Sequence, residues 1–536
     1  MNRIVYLMTL KKMKNSNLFY FLILSTISIQ LSYAVPDEQS KRKPNILIIM
    51  ADDMGYSDLG CYGGEAHTPN IDRLAKNGLR FRTFYNAARC CPSRASLLTG
   101  VYPHEAGMGG MVSAVGSQPK AGPYQGFLNN NTITIAEALK LAGYKTYMSG
   151  KWHVGEEAEH WPRKRGFGRY FGLISGASSY FELVKEPRVR QMAHDDKPWT
   201  PPADGFYMTD AISDTAVNFI EQHGQTKAEQ PFFLYLAYTA PHWPLHALEP
   251  DIKRYDGVYD SGWDQLRQHR FERMQQLGII DSQHQLSLRT ANIPAWDKVS
   301  NQKEWANRME VYAAMIDRMD QGVGRVLSAL ERQGQLENTL IVFLSDNGGC
   351  AENVDGRKLN KEGTRVGQRG SYVAYDEPWA NVSNTPYRKY KSWTHEGGII
   401  TPCIVYWPKG MKRSGKFTNA VGDIKDIMAT CLDLAGMDYP QTYKGHELVR
   451  PEGKSWLPLF NQEIVEKRTL FWEHQGKKAA RSGNWKLVSG GNQQPWELYD
   501  LAKDPEELKD ISKQYPKVVA QLKDKYVDWA TKVGVK

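Results

Sequence analysis

Continuous apolar runs are the feature that most constrains how this 536-residue chain can fold. The segment from Asn45 to Met50 reads N-I-L-I-I-M, and the segment from Leu340 to Leu344 reads L-I-V-F-L. Strands that are apolar at every position are typical of a parallel sheet whose two faces are covered by helices. Other segments predict strands at Lys145 to Met148, Phe232 to Ala237 and Thr401 to Tyr406, and helices at Thr68 to Leu74, Ile135 to Leu141 and Val311 to Leu330. We therefore expect an α/β protein with a large mixed, mainly parallel sheet flanked by helices.

The pattern changes after about Lys444, where shorter segments replace the long apolar runs. These segments predict antiparallel strands at Leu470 to Glu473, Ala479 to Val488 and Trp496 to Asp500, and a terminal helix at Pro516 to Lys532. The chain is thus predicted to divide into residues 1–34, a catalytic domain at 35–444 and a smaller C-terminal α+β domain at 445–536. The polar stretch from Tyr255 to Val299 is predicted to be a surface insertion with helical parts.

Polar pairs follow two of the apolar strands, namely Asp52-Asp53 and Asp346-Asn347. Ligands of open α/β sheets gather outside the carboxyl ends of strands, so these four side chains are expected to lie close together. Three carboxylates and an amide oxygen suit a hard cation such as Ca²⁺ or Mg²⁺ better than Zn²⁺, which prefers His and Cys. Each pair by itself also fits a turn after a strand, so the residues alone leave that simpler role open.

The segment Cys90-Cys91-Pro92-Ser93-Arg94 leads into a helical pattern that stops at Gly100. Pro is favoured in the first turn of a helix, and Gly is favoured just after the last turn. Cys90 is therefore predicted to lie just before a helix N-terminus, where free N–H groups and the helix dipole favour a bound anion. A buried pair of cysteines that starts a core helix is the alternative at this point.

The longer pattern C-x-P-S-R-x-x-x-L-T-G, from Cys90 to Gly100, resembles the signature of the type I sulfatases of the alkaline phosphatase superfamily. Other segments resemble motifs of this family: G-K-W-H at 150–153, P-H-W-P at 241–244, K-x-x-x-x-E-G-G at 391–398 and W-E-H-Q-G at 472–476. The resemblance implies an alkaline-phosphatase-like fold and the hydrolysis of sulfate esters. It also implies that a maturation enzyme oxidises Cys90 to formylglycine, whose hydrate attacks the sulfur atom.

The resemblance assigns a role to each candidate site residue. One Ca²⁺ ion would be bound by Asp52, Asp53, Asp346 and Asn347, with the modified Cys90 completing the set. The other implied roles are as follows: Arg94 pairs with the hydrated aldehyde, Lys151 and Lys391 bind sulfate oxygens, His153 is the base that helps to eject sulfate, His242 gives a proton to the leaving alcohol, and His474, with Glu473, shapes the substrate pocket. Lys389 is a neighbouring alternative to Lys391.

The first 34 residues resemble a secretory signal peptide. Lysines at positions 11, 12 and 14 precede an apolar run from Leu18 to Ile29, and Ser32-Tyr33-Ala34 fits a cleavage site. The run is shorter than the ~20 residues of a membrane-spanning helix, so we expect no membrane anchor and a secreted or periplasmic protein cleaved after about Ala34. Met13 is an alternative start. Removing residues 1–34 lowers the formal charge from +9 to +5, and no basic tract predicts a nucleic-acid partner.

The substrate is predicted to be a sulfated glycan rather than a free aryl sulfate ester. The mature charge is mildly basic, and Trp243, Trp393 and Trp472 lie in or next to the site motifs, where they either stack on sugar rings or belong to the core. A phosphonate or phosphodiester hydrolase is an alternative, although Asn347 stands where such relatives carry His. A non-catalytic sulfoglycan-binding protein is a second alternative. Six sparse cysteines predict no disulfide framework.

Overall fold

The computed structural model describes residues 42–118, 121–185, 188–227 and 229–535. Lys43–Lys536 form one compact unit. The predicted signal peptide at 1–34 lies outside the described residues, so it stays a prediction. Within these ranges, none of the helices combines the length and the apolar composition that a membrane crossing requires.

A ten-stranded sheet lies at the centre of this unit. Its strands are β1 Asn45–Ala51, β2 Leu79–Tyr85, β3 Lys145–Gly150, β4 Arg169–Leu173, β5 Met192–His194, β6 Lys197–Trp199, β7 Phe232–Ala237, β8 Thr339–Ser345, β9 Cys403–Tyr406 and β10 Lys416–Asp423. Across the sheet they follow the order β10-β2-β9-β8-β1-β7-β3-β4-β5-β6. Strand β1 is parallel to both of its neighbours, and every residue of β1 and β8 is buried. Burial on both faces explains the continuous apolar runs within these strands, from Ile46 to Ala51 and from Leu340 to Leu344.

Helices cover both faces of the sheet. The α-helices of the described residues are α1 Pro69–Asn77, α2 Cys90–Thr99, α3 Ile135–Leu141, α4 Met208–Lys227, α5 Glu249–Ile252, α6 Gly262–Gln276, α7 Gln302–Arg332, α8 Asp376–Ser383, α9 Glu396–Ile399, α10 Asp426–Leu434 and α11 Pro516–Val533, of which α11 packs on the C-terminal antiparallel sheet. Alternate residues of β1 enter two separate cores. Leu47 and Ile49 pack with residues of α1, α4 and α7, whereas Ile46 and Ile48 pack with residues of α2, α3 and α10. The predicted α/β class, with covered sheet faces, is confirmed.

A second, antiparallel sheet follows a short hairpin formed by β11 Thr442–Tyr443 and β12 His446–Glu447. Its strands are β13 Thr469–His474, β14 Lys477–Ser482, β15 Trp485–Ser489 and β16 Trp496–Asp500, paired in sequence order. The segment predicted as one strand from 479 to 488 is divided by a turn at Gly483, whose φ is +61°. Trp472 lies 4.9 Å from the Tyr85 ring and is buried in the main core. The small C-terminal domain with an antiparallel sheet is thus confirmed, and its boundary at 444 stays a prediction.

The stretch from Tyr255 to Val299 differs from the predicted surface insertion. It contains α6, whose Trp263 and Met274 are buried in the main hydrophobic core together with Ile279. Arg270 of the same helix is 1% exposed and pairs with the carboxylates of Asp58 and Glu65. The polar composition of this stretch predicts exposure wrongly, because some of its charged residues form ion pairs in the interior.

Candidate active site

Four parallel strands bring polar side chains to one edge of the large sheet. Asp52 and Asp53 follow β1, Asp346 and Asn347 follow β8, Lys151 and His153 follow β3, and His242 lies in the loop after β7. Because β3, β7, β1 and β8 run in the same direction, their carboxyl ends open at this edge. The backbone N–H of Asp53 donates to Asp346 Oδ1 at 3.1 Å, so the two predicted polar pairs are in direct contact.

Each of the three carboxylates is paired with a buried cation. The contacts are Lys151 Nζ to Asp52 Oδ2 at 2.6 Å, Lys391 Nζ to Asp53 Oδ2 at 2.7 Å, and Arg94 to Asp346 Oδ2 at 3.0 Å from Nε and 2.8 Å from Nη2. Burial raises the pKa of Asp52 and of Asp346. Burial acts in the same direction on Asp53, but Lys391 and His242 outweigh it and lower the pKa of Asp53. The centre therefore holds closely matched opposite charges away from water.

Two buried oxygen atoms of this centre lack a hydrogen-bond donor within the described part of the chain and are available as metal ligands. Asp52 Oδ1 and Asn347 Oδ1 are buried and, among the described residues, accept no hydrogen bond. The Asn347 amide donates to Asp53 Oδ1 at 2.7 Å, which leaves its own oxygen free to act as a ligand. Asp52 and Asp53, with His242, place ligand atoms within 4.8 Å of one another. The all-oxygen part of this set, with Asp346, fits a hard cation such as Ca²⁺.

Cys90 is the first residue of α2, and all ten residues of this helix are buried. The helix ends at Gly100, whose φ is +74°, as the sequence predicts. Cys90, Cys91 and His153 place their ligand atoms within 4.8 Å of one another, and Cys91 Sγ lies 3.3 Å from His153 Nε2. A hydrogen bond from Cys91 lowers the pKa of the Cys90 thiol, whereas burial raises the pKa of the Cys91 thiol.

His153 lies beside the cysteines in a backbone conformation that the surrounding chain holds in place. Its φ is +55°, and its N–H donates to the carbonyl of Ile174 at 3.1 Å. Burial lowers the pKa of His153 to about 4, so its ring is neutral near pH 7 and can accept a proton. A Cβ at Gly176 would lie 2.3 Å from His153 Nε2, so this position requires glycine for the ring to keep its place.

His242 and Lys391 form a second pair on the Asp53 side of the site. His242 Nδ1 lies 2.6 Å from the carbonyl of Trp243, which fixes the proton on Nδ1 because a carbonyl can only accept. The unprotonated Nε2 then accepts from Lys391 Nζ at 3.3 Å. Burial lowers the pKa of His242 to about 3. Burial also disfavours the charge of Lys391, but Asp53 outweighs it and raises the pKa of that ammonium. The geometry separates Lys391 from Lys389, whose Nζ lies over the Trp393 ring.

Glu352 is a site residue that the sequence patterns do not reveal. Its Oε1 accepts from Arg89 Nη2 at 2.6 Å, and its Oε2 accepts from Trp243 Nε1 at 2.9 Å. Lys391 Nζ lies 3.9 Å from the same carboxylate. Although burial opposes the charge of Glu352, Lys391 and Arg89 outweigh it and lower its pKa. The one sequence signal for Glu352 is its position in the loop after Asp346. A single acidic residue in a loop is too common to indicate a site.

His474 and Glu473 lie on β13, beside the site but deep in the protein. His474 is 0% exposed, and burial lowers its pKa to about 3. Glu473 Oε2 accepts from the hydroxyl of Tyr124 at 3.0 Å and lies 2.8 Å from His104 Nε2. These contacts tie β13 to the segment that follows α2. A direct contact of His474 with substrate stays a prediction.

Comparisons with known proteins agree with this geometry. The family profile described as Sulfatase matches residues 44–437, and the profile described as N-sulphoglucosamine sulphohydrolase, C-terminal, matches residues 389–532. An uncharacterized sulfatase of Schizosaccharomyces pombe is 34% identical, over 93% of this chain and 95% of that protein. The arylsulfatase of Klebsiella aerogenes is 36% identical, over 74% of this chain and 88% of that protein. The crystal structure of Ps i-CgsB, which was also solved in complex with k-i-k-neocarrahexaose, is 30% identical with a TM-score of 0.67, over 91% and 93% of the two chains.

Proposed function

The chain belongs to the sulfatase family and is a sulfuric ester hydrolase, and we propose that it desulfates a glycan with a formylglycine made from Cys90 beside a bound Ca²⁺ ion. The observation that carries this proposal is the position of Cys90. It begins a buried helix at the sheet edge where three carboxylates meet Arg94, Lys151 and Lys391. A helix N-terminus within a cluster of fixed cations favours a bound sulfate group.

Two groups that are not part of the encoded side chains complete the proposed site. Asp52, Asp53, Asp346 and Asn347 would hold the Ca²⁺ ion through oxygen atoms, and the ion would offset negative charge on the sulfate oxygens. The hydrated aldehyde, made by a formylglycine-generating maturation enzyme, supplies one hydroxyl as the nucleophile and a second hydroxyl that can lose its proton.

Arg94, Lys151 and Lys391 supply positive charge that is already fixed before substrate binds. Each is 5% exposed or less and is held by one of the three carboxylates. Such groups need little reorganisation when negative charge builds up on the sulfate oxygens and on the departing oxygen. Replacing any of them with a neutral residue would also leave a buried carboxylate without its cation.

The two histidines have different partners and suit different proton transfers. His153 is neutral and has a ring nitrogen within 4.8 Å of Cys90 Sγ, where it can accept a proton in the step that releases sulfate. His242 holds its proton on Nδ1, and its Nε2 faces the ammonium of Lys391. The Lys391 ammonium thus keeps a proton 3.3 Å from His242 Nε2, and this pair would supply the proton that the leaving alcohol oxygen takes up.

Two tryptophans support a sugar substrate. Trp393 is only partly buried, so part of its ring can meet a sugar. Trp243 is buried in the main core, where its Nε1 donates to Glu352 and the Arg357 guanidinium lies 4.4 Å from its ring centroid, so it contributes to the wall of the site. Trp472 is a core residue, since its Nε1 donates to the Asn86 carbonyl at 2.8 Å and its ring packs on Tyr85. The neocarrahexaose complex of Ps i-CgsB gives independent support for a carbohydrate ligand.

Mass spectrometry of the peptide that contains both cysteines tests the mechanism. We expect formylglycine at position 90 and an unmodified Cys91. Cys90→Ala should abolish turnover of an aryl sulfate while the melting temperature stays close to that of the wild type. Cys91→Ala is the matched control and should be modified at position 90. An active enzyme with an unmodified Cys90 would overturn the mechanism.

Turnover of different esters tests the substrate. The wild type should desulfate at least one member of a panel of mono- and oligosaccharide sulfates with a higher kcat/KM than an aryl sulfate, because remote contacts contribute to transition-state binding. Faster turnover of an aryl phosphonate than of any sulfate would instead favour the phosphonate hydrolase. We also propose export of the chain with cleavage after about Ala34, which N-terminal sequencing of the mature protein would check.

A further inference from the structure

Two lysines contact one tryptophan at the rim of the site. Lys389 Nζ lies 4.3 Å from the centroid of the Trp393 ring, and Lys477 Nζ lies 5.1 Å from the same centroid. The lysines come from different parts of the chain, since Lys389 precedes the catalytic Lys391 and Lys477 begins β14 of the second sheet. Two ammonium groups are thus held at one aromatic ring by cation–π contacts.

Neither ammonium is neutralised by an acid. Among the described residues, no carboxylate lies within ion-pair distance of Lys389 or Lys477, and both side chains are half-buried. Burial lowers the pKa of both lysines, and neighbouring arginines lower it further, Arg388 for Lys389 and Arg89 for Lys477. The two ammonium groups thus lie at a partly desolvated position without an ion-pair partner among the described residues, and Glu377, Glu497 and Glu473 act on them only at longer range.

The carboxylates that influence the charge of Lys389 and Lys477 already have other hydrogen-bond partners. Glu377 accepts from the hydroxyl of Tyr390 at 2.6 Å and from Asn292 Nδ2 at 2.7 Å. Glu497 accepts from Arg388 Nη2 at 2.7 Å, and Glu473 is bound by His104 and Tyr124. None of these carboxylates is free to move to the two lysines without breaking a contact elsewhere.

The rim is joined directly to the catalytic centre. Ser392 N donates to the carbonyl of Ala88 at 2.7 Å, and Arg89 contacts the hydroxyl of Ser392. Arg89 immediately precedes Cys90, and Lys391, next to Ser392, reaches Asp53. Within the segment 389–393, Lys391 therefore reaches Asp53 of the catalytic centre, whereas Lys389 lies over the ring of Trp393. On the proposed mechanism, the sugar next to the one held at position 90 would extend along this segment toward Trp393.

From this arrangement we propose that Lys389, Lys477 and Trp393 form a second anion subsite, which binds a negatively charged group on the sugar next to the one that loses its sulfate. The inference rests on the proposed glycan desulfation and adds a preference for polyanionic chains. The anionic group is a sulfate ester or a uronate carboxylate, since either can accept from two ammonium groups.

Kinetics with matched disaccharides test the preference. The disaccharides carry one sulfate, two sulfates, or one sulfate and one uronate carboxylate. The kcat/KM of each variant for each disaccharide is divided by its kcat/KM for an aryl sulfate, which has no second anion. For the wild type, kcat/KM should be higher with a second anion, and the two dianionic substrates show which anion is preferred. The double variant Lys389→Met/Lys477→Met should reduce this advantage by about tenfold or more. Lys478→Met, from the opposite face of β14, should keep it.

Amine labelling gives a readout that is independent of turnover. The Cys90→Ala protein is treated with an amine-reactive reagent with and without each disaccharide, and the modified lysines are mapped by mass spectrometry. A dianionic disaccharide should protect Lys389 and Lys477 and leave Lys478 unchanged. If no anionic disaccharide protects either lysine, or if the double variant keeps the full advantage, the subsite is wrong. Failure of the wild type to desulfate any sugar, with protection still present, would refute the glycan desulfation alone.

Discussion

The substitution Arg270→Met tests whether a buried ion network supports the site. Arg270 is 1% exposed, and its Nη1 and Nη2 donate to Asp58 Oδ1 and Glu65 Oε2, both at 2.7 Å. The other oxygen of Asp58 accepts from the hydroxyl of Tyr312 at 2.8 Å. That hydroxyl lies 3.3 Å from the carbonyl of Asp53, so the network reaches the backbone of a proposed Ca²⁺ ligand.

The magnitude follows from what the substitution leaves behind. Methionine keeps much of the apolar stem of Arg270, but Asp58, which is 0% exposed, loses its cation. Removing one partner of a buried ion pair typically costs about 3–5 kcal/mol, and we expect a loss of this size in the free energy of unfolding. Arg73 is the matched control, because its pair with Glu331 is 46% and 43% exposed. Arg73→Met should cost less than ~1 kcal/mol.

Urea unfolding followed by tryptophan fluorescence measures both variants against the wild type. A second substitution, Asp58→Asn, in the Arg270→Met protein should recover part of the loss, because it removes the unpaired charge. If Arg270→Met lowers stability no more than Arg73→Met does, the network does not stabilise the fold as argued. Turnover of an aryl sulfate by the folded Arg270→Met protein then reports separately on the Asp53 loop.

Three further changes have defined expected outcomes. Asp346→Ala should lose both bound calcium and turnover, as measured by metal analysis of the purified protein, and stoichiometric zinc without calcium or magnesium in the wild type would contradict the assigned ligand set. Gly176→Ala would place a Cβ 2.3 Å from His153 Nε2, so kcat should fall by roughly 10- to 100-fold while the melting temperature changes little, and an unchanged kcat would argue against the role of His153. Burial raises the pKa of Glu506 from its ordinary 4.5 to about 8, so between these pH values the folded state keeps a proton that the unfolded state releases, and stability falls as the pH rises. Glu506→Gln should flatten that decline in melting temperature between pH 5 and 8, and an equally steep decline would contradict the burial argument.

The central strands could be predicted because their burial leaves a distinctive pattern. β1, β7 and β8 are buried on both faces, so their central positions are apolar and polar residues occur only at strand ends, as at Asn45, Thr339 and Ser345. β2 reads L-R-F-R-T-F-Y, with half-buried positions between buried ones, and a search for continuous apolar runs passes over it. The stretch from Tyr255 to Val299 was predicted to lie at the surface for a related reason, since Arg270 of its helix α6 is polar in sequence but paired with two acids in the interior.

The residues of the site were predictable where a motif fixed them. The Cys90 pattern and the two polar pairs lie at recognisable places, and the structure brings all of them to one sheet edge. The K-x-x-x-x-E-G-G spacing indicated Lys391 but left Lys389 as a close alternative, and the structure distinguishes them, since Lys391 contacts Asp53 and Lys389 lies over the Trp393 ring. Glu352 contacts Arg89 and Trp243 through the tertiary fold, so no local pattern identifies it.

The burial of α2 determines whether Cys90 must be oxidised before or after the protein folds. All ten of its residues are buried, and Cys90 is 2% exposed, so another enzyme cannot enclose this thiol in the folded protein. On the proposed mechanism, oxidation of Cys90 must therefore happen while the chain is still being made or exported. Folding and oxidation then compete, and a molecule that folds first is trapped without its nucleophile. The specific activity of a preparation would depend on the host that made it, even when every molecule is correctly folded.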